Sequence, residues 1–399
     1  MKTRRKTLIG LASTPLIGLT NLLTGCQSDT TTNTGSAWGY SLFAQGQFYG
    51  QVGFGEFNDR AFTLDTAFRV AAVTKMTVAE LGRRLHASGD VDLDSDISDL
   101  IGVVLRHPNH PSKQITLRHI LSHRSSIRDP QICEVAHPED IRSLLKQDIW
   151  EPDGEPGVSF RYSDFAYSLA ATAIETALNE RFDRLFRRHI AEPSGLDIGL
   201  NWSGVSQSRR ANGMPGLINR KVQIDESSDR ISENPSILIN DGASLDTYSP
   251  GQNGTLFSPH GGLRASLSDI AILTDIIIRQ QPELWEPSWR WDGNIRPNGP
   301  SENAHFVAFG EGLYIYPNGP LGRDNVTWLG YHGSAYGINC GTWFRADPNR
   351  PGIFVHAVLK DSDRSGLSDM TGFKPNNSRA AFRALLYGTD SLRLLGKAK

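Results

Sequence analysis

Phe68-Arg69-Val70-Ala71-Ala72-Val73-Thr74-Lys75 runs into the apolar positions Met76, Val78, Leu81 and Leu85. Their spacing predicts a helix over 73–85, which Gly89-Asp90 stops. Positions three apart on a helix share a face, so Lys75 stands beside residue 72, and residue 72 is alanine. Upstream, residues 40–44 and 47–54 alternate apolar and polar side chains around Gln45-Gly46, the pattern of a β-hairpin. Downstream, 117–121, 166–178 and 270–278 carry helical patterns. Strands return at 342–345 and 353–359, flanking the turn Asp347-Pro348-Asn349-Arg350-Pro351-Gly352. A final helix is expected over 378–387, with Phe382, Leu385 and Leu386 on one face and Gly388 at its C-terminal cap. Strands at both ends around a helical middle predict an α+β fold: one antiparallel sheet built from both termini and flanked by helices, with a helical lobe inserted.

Three further stretches give the opening one a chemical context. Phe160-Arg161-Tyr162-Ser163-Asp164 lies ahead of the second long helix, and Gly330-Tyr331-His332-Gly333-Ser334-Ala335-Tyr336-Gly337 lies in the late strands. Between them come Gly261-Gly262-Leu263 and Ser268-Asp269, while Ile115-Thr116-Leu117-Arg118-His119-Ile120-Leu121-Ser122-His123 precedes all three. Together with residues 68–75, these resemble the serine β-lactamase and penicillin-binding-protein superfamily, closest to its class C β-lactamase, D-alanyl-D-alanine carboxypeptidase and esterase branch. The resemblance implies a serine β-lactamase-like fold over residues 38–399.

It also implies roles. The family opens its nucleophile helix with Ser-x-x-Lys, where the lysine takes and returns the serine proton and the helix N-terminus favours developing negative charge. Ala72 occupies the serine place, and a methyl group cannot attack a carbonyl. Tyr162 and Asp164 correspond to the family's Tyr-x-Asn, and an aspartate there keeps Lys75 charged, a better anchor and a poorer base. Tyr331 falls where the family's Gly-[Lys/His]-x-Gly strand carries its cation. His332 is an alternative functional group, although strand alternation turns it to the opposite face. Gly333 lets a ligand lie close to the backbone. The N–H groups of Ala72 and Ser334 would form the oxyanion hole.

Composition narrows the rest. The 399 residues hold 41 Lys+Arg against 43 Asp+Glu, with 38% hydrophobic side chains, the profile of a globular chain. No basic cluster follows the N-terminus, which argues against nucleic acid as the partner. The chain has no G-x-S-x-G elbow, P-loop or G-x-G-x-x-G fingerprint. Ser143-Leu144-Leu145-Lys146 repeats Ser-x-x-Lys without its context, and Thr74 is turned about 100° away from residue 72 on the helix. His107, His110, His119 and His123 invite a zinc reading, but no H-E-x-x-H pattern accompanies them, so no metal or other cofactor is expected.

The N-terminus reads as an address. Lys2, Arg4, Arg5 and Lys6 precede an apolar run ending in Leu23-Thr24-Gly25-Cys26, which resembles a bacterial lipoprotein signal with Cys26 as the lipidated residue. Residues 1–25 are expected to be the signal peptide and 26–37 a polar tether. Gln27 suggests sorting to the periplasmic side of the outer membrane. Cys133 and Cys340 could then pair in an oxidising compartment. The functional expectation is a catalytically impaired lipoprotein that binds a peptidoglycan-, ester- or lactam-like small molecule through Lys75, Tyr162, Asp164, Tyr331 and backbone donors. The alternative is an active hydrolase, in which water attacks directly or serine is the natural residue at 72.

Overall fold

The computed structural model describes residues 36–57, 60–135, 137–214, 216–218, 221–223, 238–239, 243–279, 281–291, 308–317, 326–347 and 351–360. Residues 1–25 with the signal, Cys26, the tether as far as residue 35, the turn residues 348–350 and the helix expected over 378–387 lie outside them.

Nine strands form the main sheet: β1 (Ser36–Ala44), β2 (Gln47–Phe57), β3 (Arg60–Ala61), β4 (Trp289–Arg290), β5 (Ala308–Phe309), β6 (Tyr314–Tyr316), β7 (Trp328–Ala335), β8 (Ile338–Arg345) and β9 (Gly352–Lys360). Their order is β4-β5-β6-β7-β8-β9-β1-β2-β3, every pairing antiparallel. The join between the early and late strands, which the sequence pattern predicts, is the β1–β9 ladder, running from Ser36 opposite Lys360 to Phe43 opposite Ile353. β1 begins at Ser36, so the last two residues expected in the tether belong to the sheet.

One face of β1 is buried through Ala37, Ser41 and Phe43. Helix α3 (Leu267–Thr274) lies against that face, and a Cβ at Gly39 would come within 2.6 Å of the Leu267 side chain. α3 starts with a capping box between Ser266 and Asp269. The single helix expected over 270–278 proves to be α3 followed by a π-helical turn, Asp275–Arg279.

The helical lobe centres on α2 (Asp164–Leu178), which is apolar on nearly every side and buries Phe165, Tyr167, Leu169 and Ile174 completely. Ser163 caps it, its hydroxyl accepting the Ala166 N–H at 3.0 Å, and Asn179 ends it in the left-handed region. Helix α1 (Thr74–Ala87) buries Met76, Val78, Leu81 and Leu85, the periodic positions of the sequence. Among the described residues, no helix is long and apolar enough to cross a membrane.

Candidate functional site

Phe68–Arg69 pairs with Arg264–Ala265 and delivers the chain into a 3-10 turn, Ala71–Val73, that passes directly into α1. Ala71 sits at φ 50°, a left-handed conformation that costs a non-glycine residue roughly 1–3 kcal/mol and persists only where its surroundings fix it. Here they do. The Thr74 hydroxyl donates to the Ala71 carbonyl at 2.7 Å and accepts the Leu263 N–H at 3.0 Å. Thr74 is thus committed to holding the turn, facing away from the site as its helical position predicts. On the other side β7 presses in, and a Cβ on Gly333 would lie 2.5 Å from the Ala72 nitrogen and 2.7 Å from the Val70 oxygen. Only glycine permits that approach. Cys340, the register partner of Gly333, donates its thiol to the same Val70 carbonyl at 2.9 Å. Ala72 stands partly exposed on this braced turn.

One turn further, Lys75 is fully buried. Its Nζ donates to Asp164 Oδ1 at 2.5 Å and to the His260 carbonyl at 2.7 Å, and it lies 4.8 Å above the centre of the Tyr162 ring. The Tyr162 hydroxyl donates to the same Asp164 oxygen at 3.1 Å. Burial pulls the Lys75 ammonium below its usual range, while the charge of Asp164 opposes the change. Burial alone would raise Asp164, but the Lys75 charge, then His260, then the two hydrogen bonds bring it down to about 2. Asp164 keeps 41% of its side-chain surface open, so solvent screens the pair from its outer side. Burial holds the Tyr162 phenol well above its usual value, with Asp164 adding to the shift. Lys75 is therefore an anchored cation and Tyr162 a neutral donor.

Tyr331 departs from its expected position beside a ligand. It is wholly buried, and its hydroxyl lies 3.2 Å from His123 Nε2. His123 Nδ1 accepts the Ser163 N–H at 3.3 Å, so the neutral ring carries its proton on Nε2 and donates it to Tyr331. Tyr331 in turn hydrogen-bonds Tyr314, whose ring centre is 4.7 Å away. Burial first, and the Lys75 charge second, keep His123 neutral, and burial likewise keeps Tyr331 protonated. Where the resemblance expects a cation, the chain has a neutral chain of hydrogen bonds beneath the site. Strand alternation turns Gly333 toward Ala72 and His332 the other way, where it stacks on Tyr314 at 5.2 Å and on Trp343 at 6.5 Å. Ser334, beside Gly333 on β7, is partly exposed.

The remaining sequence candidates disperse. Ser143 and Lys146 are exposed on a 3-10 helix, Ile141–Lys146. His107 accepts the Asn109 N–H and meets the Glu151 carbonyl, while His119 completes the cap of Leu117–Leu121 with Thr116. The grouping of potential metal ligands found among the described residues is a different one: His86, Asp92 and Asp94, all exposed. Cys133 and Cys340 do not pair, because one thiol donates to Pro130 and the other to Val70. Three neighbours of Lys75, Asp164 and Tyr331 were not singled out as site residues from the sequence: His123 beneath Tyr331, His260 whose carbonyl holds Lys75, and Asp129, whose Oδ1 accepts the Ser163 hydroxyl at 2.8 Å and the Phe165 N–H at 2.9 Å beside Asp164. His123 carried a signal only as part of a histidine spacing, and no local pattern marks the other two.

Comparison with known proteins places this geometry in context. The Beta-lactamase family model matches residues 36–369. D-alanyl-D-alanine-carboxypeptidase/endopeptidase AmpH of Escherichia coli K12 is 27% identical over 153 residues, 37% of this chain and 40% of that protein. Among solved structures, a β-lactamase/D-alanine carboxypeptidase from Yersinia pestis, complexed with citrate, superposes with a TM-score of 0.58 at 18% identity, covering 87% of this chain and 93% of that one. The D-amino acid amidase of Ochrobactrum anthropi SV3, complexed with L-phenylalanine amide, gives 0.59 at 18% identity, covering 89% and 94%.

Proposed function

The chain belongs to the β-lactamase family, and from that premise we propose that it binds an acyl compound of peptidoglycan-, ester- or lactam-like chemistry without being acylated by it. One observation carries the reading: at the braced turn where residue 72 meets Gly333 and precedes Lys75, the side chain is a methyl group. The surroundings suit recognition better than turnover. Lys75 is buried and paired, and Asp164, at about 2, is too weak a base to activate water at neutral pH. Removing the nucleophile of a serine hydrolase costs roughly a millionfold in turnover, while binding and backbone donors leave about 10³ to 10⁴ over the reaction in water. A ligand site therefore survives such a loss.

The test is turnover of a chromogenic cephalosporin and short nitrophenyl esters by the unaltered protein, Lys75→Ala and Ala72→Ser. The unaltered protein should match Lys75→Ala, and Ala72→Ser should exceed it by about 100-fold or more. Unaltered turnover well above Lys75→Ala contradicts the proposal. The second half of the proposal is a lipid anchor on Cys26 at the periplasmic side of the outer membrane, supported by Leu23-Thr24-Gly25-Cys26 followed by Gln27. Cys26→Ser should move the protein from the membrane to the soluble fraction.

A further inference from the structure

The loop joining β7 to β8 is Tyr336-Gly337, between the paired residues Ala335 and Ile338. Both loop residues are left-handed, at φ 52° and 75°, as a tight hairpin turn of this length requires. Asparagine followed by glycine meets that requirement with least strain, whereas the Cβ of a bulky tyrosine crowds the backbone there. Strain of this kind persists only where the surroundings hold the residue, and it gathers at binding sites.

Two neighbours hold Tyr336. The Arg69 guanidinium lies 4.7 Å from the centre of its ring. Arg69 is itself only 6% exposed and donates to Ser258 at 3.2 Å, so the cation is fixed. The short strand Gly216–Ile218 passes so close that a Cβ on Gly216 would lie 2.5 Å from the Tyr336 Cβ and 2.6 Å from its carbonyl oxygen. The tyrosine is thus wedged in place, yet it stays partly exposed.

Two routes tie it to the turn at residue 72. Through Arg69, a Cβ on Gly261 would lie 3.3 Å from the guanidinium Nη2 and 3.7 Å from the Ala71 carbonyl carbon, so the cation and the turn share one wall. Along β7, the chain reaches Tyr336 directly from Gly333, which abuts the Ala72 nitrogen, and Ser334. We propose that Tyr336 is a specificity-determining residue whose ring offers a stacking surface to ligands with a flat aromatic group on the acyl side. The inference rests on the reading that the site binds acyl compounds, and adds which acyl substituent it prefers. A ring whose plane is already fixed loses little freedom when a second ring stacks on it. An aliphatic ring of similar size buries comparable area without the flat contact, and a methyl group buries little.

NMR titration with the N-methylamides of phenylacetic, cyclohexylacetic and acetic acid separates these cases. The unaltered protein should bind the phenylacetyl compound about tenfold more tightly than the acetyl one and about threefold more tightly than the cyclohexylacetyl one. Tyr336→Asn suits the turn and removes the ring, so it should bring the phenylacetyl and cyclohexylacetyl compounds to parity while the melting temperature stays within a few degrees. Tyr336→Phe keeps the ring and should keep the threefold ratio. Parity in the unaltered protein, a ratio unchanged in Tyr336→Asn, a ratio lost in Tyr336→Phe, or a fall of about ten degrees or more in the melting temperature of Tyr336→Asn each overturns the specificity while leaving acyl binding intact. No binding by any of the three compounds overturns the acyl-binding reading, and this inference with it.

Discussion

At the first turn of α2, Asp164 meets a buried ammonium, keeps part of its surface in solvent and sits at about 2. Near the last turn of the same helix, Glu175 is fully buried with no cation paired to it among the described residues, accepting the Phe182 N–H at 2.7 Å, the Tyr248 hydroxyl at 2.5 Å and the Gly251 N–H at 3.0 Å. Burial dominates there and lifts Glu175 to about 7 even though all three hydrogen bonds oppose it. The same functional group, a few helical turns apart, is a charged element of a site at one end and a staple of the lobe at the other. The difference is the partner: a cation that can share solvent, or neutral donors that cannot leave.

The largest expected effect falls on the staple. Glu175→Ala strands two backbone N–H groups and a tyrosine hydroxyl and opens a cavity, so it should cost about 3–5 kcal/mol in chemical denaturation. A loss below about 1 kcal/mol would mean that the three donors find other partners. At the site end, Asp164→Ala leaves Lys75 buried with only the His260 carbonyl, and should cost about 2–3 kcal/mol once the open side of the pair is discounted. Asp164→Asn, which still accepts from Lys75 and Tyr162, should lose less than half of that. Equal losses in the two variants would show that charge rather than hydrogen bonding holds the pair.

The comparison is sharpened most gently by pH. Glu175 has a folded pKa of about 7 against 4.5 when unfolded, so between those values the folded chain binds more protons and stability falls as pH rises. Asp164 has the opposite sign, its contribution being present above the unfolded value and lost only as pH falls toward 2. Melting temperature measured from pH 5 to 7.5 should therefore decline by a few degrees in the unaltered protein, and Glu175→Gln should flatten that slope. A slope unchanged in Glu175→Gln would assign it to other groups.

Much of this architecture was legible in the residues. The periodicity of Met76, Val78, Leu81 and Leu85 gave α1, and the alternation around Gln45-Gly46 gave the first hairpin, because both signals are local. The ladder joining β1 to β9 followed from strands at both ends of the chain. Lys75, Tyr162 and Asp164 come together as their motif context implies. Tyr331 lies on the opposite strand face from His332, as alternation implies, but no spacing reveals that its hydroxyl is taken up by His123, more than two hundred residues earlier. Asp129 and His260 were equally invisible, since one acts through the first turn of α2 and the other through a backbone carbonyl. Two-residue strands such as β4 and β5 carry too few side chains to show alternation.

The central claim concerns a single missing oxygen, and intact-protein mass spectrometry reads it directly. After incubation with an excess of an acylating β-lactam, the unaltered protein should keep its mass, while Ala72→Ser should gain the mass of one acyl group. A stable adduct on the unaltered protein, mapped to any side chain around Lys75, would contradict the account.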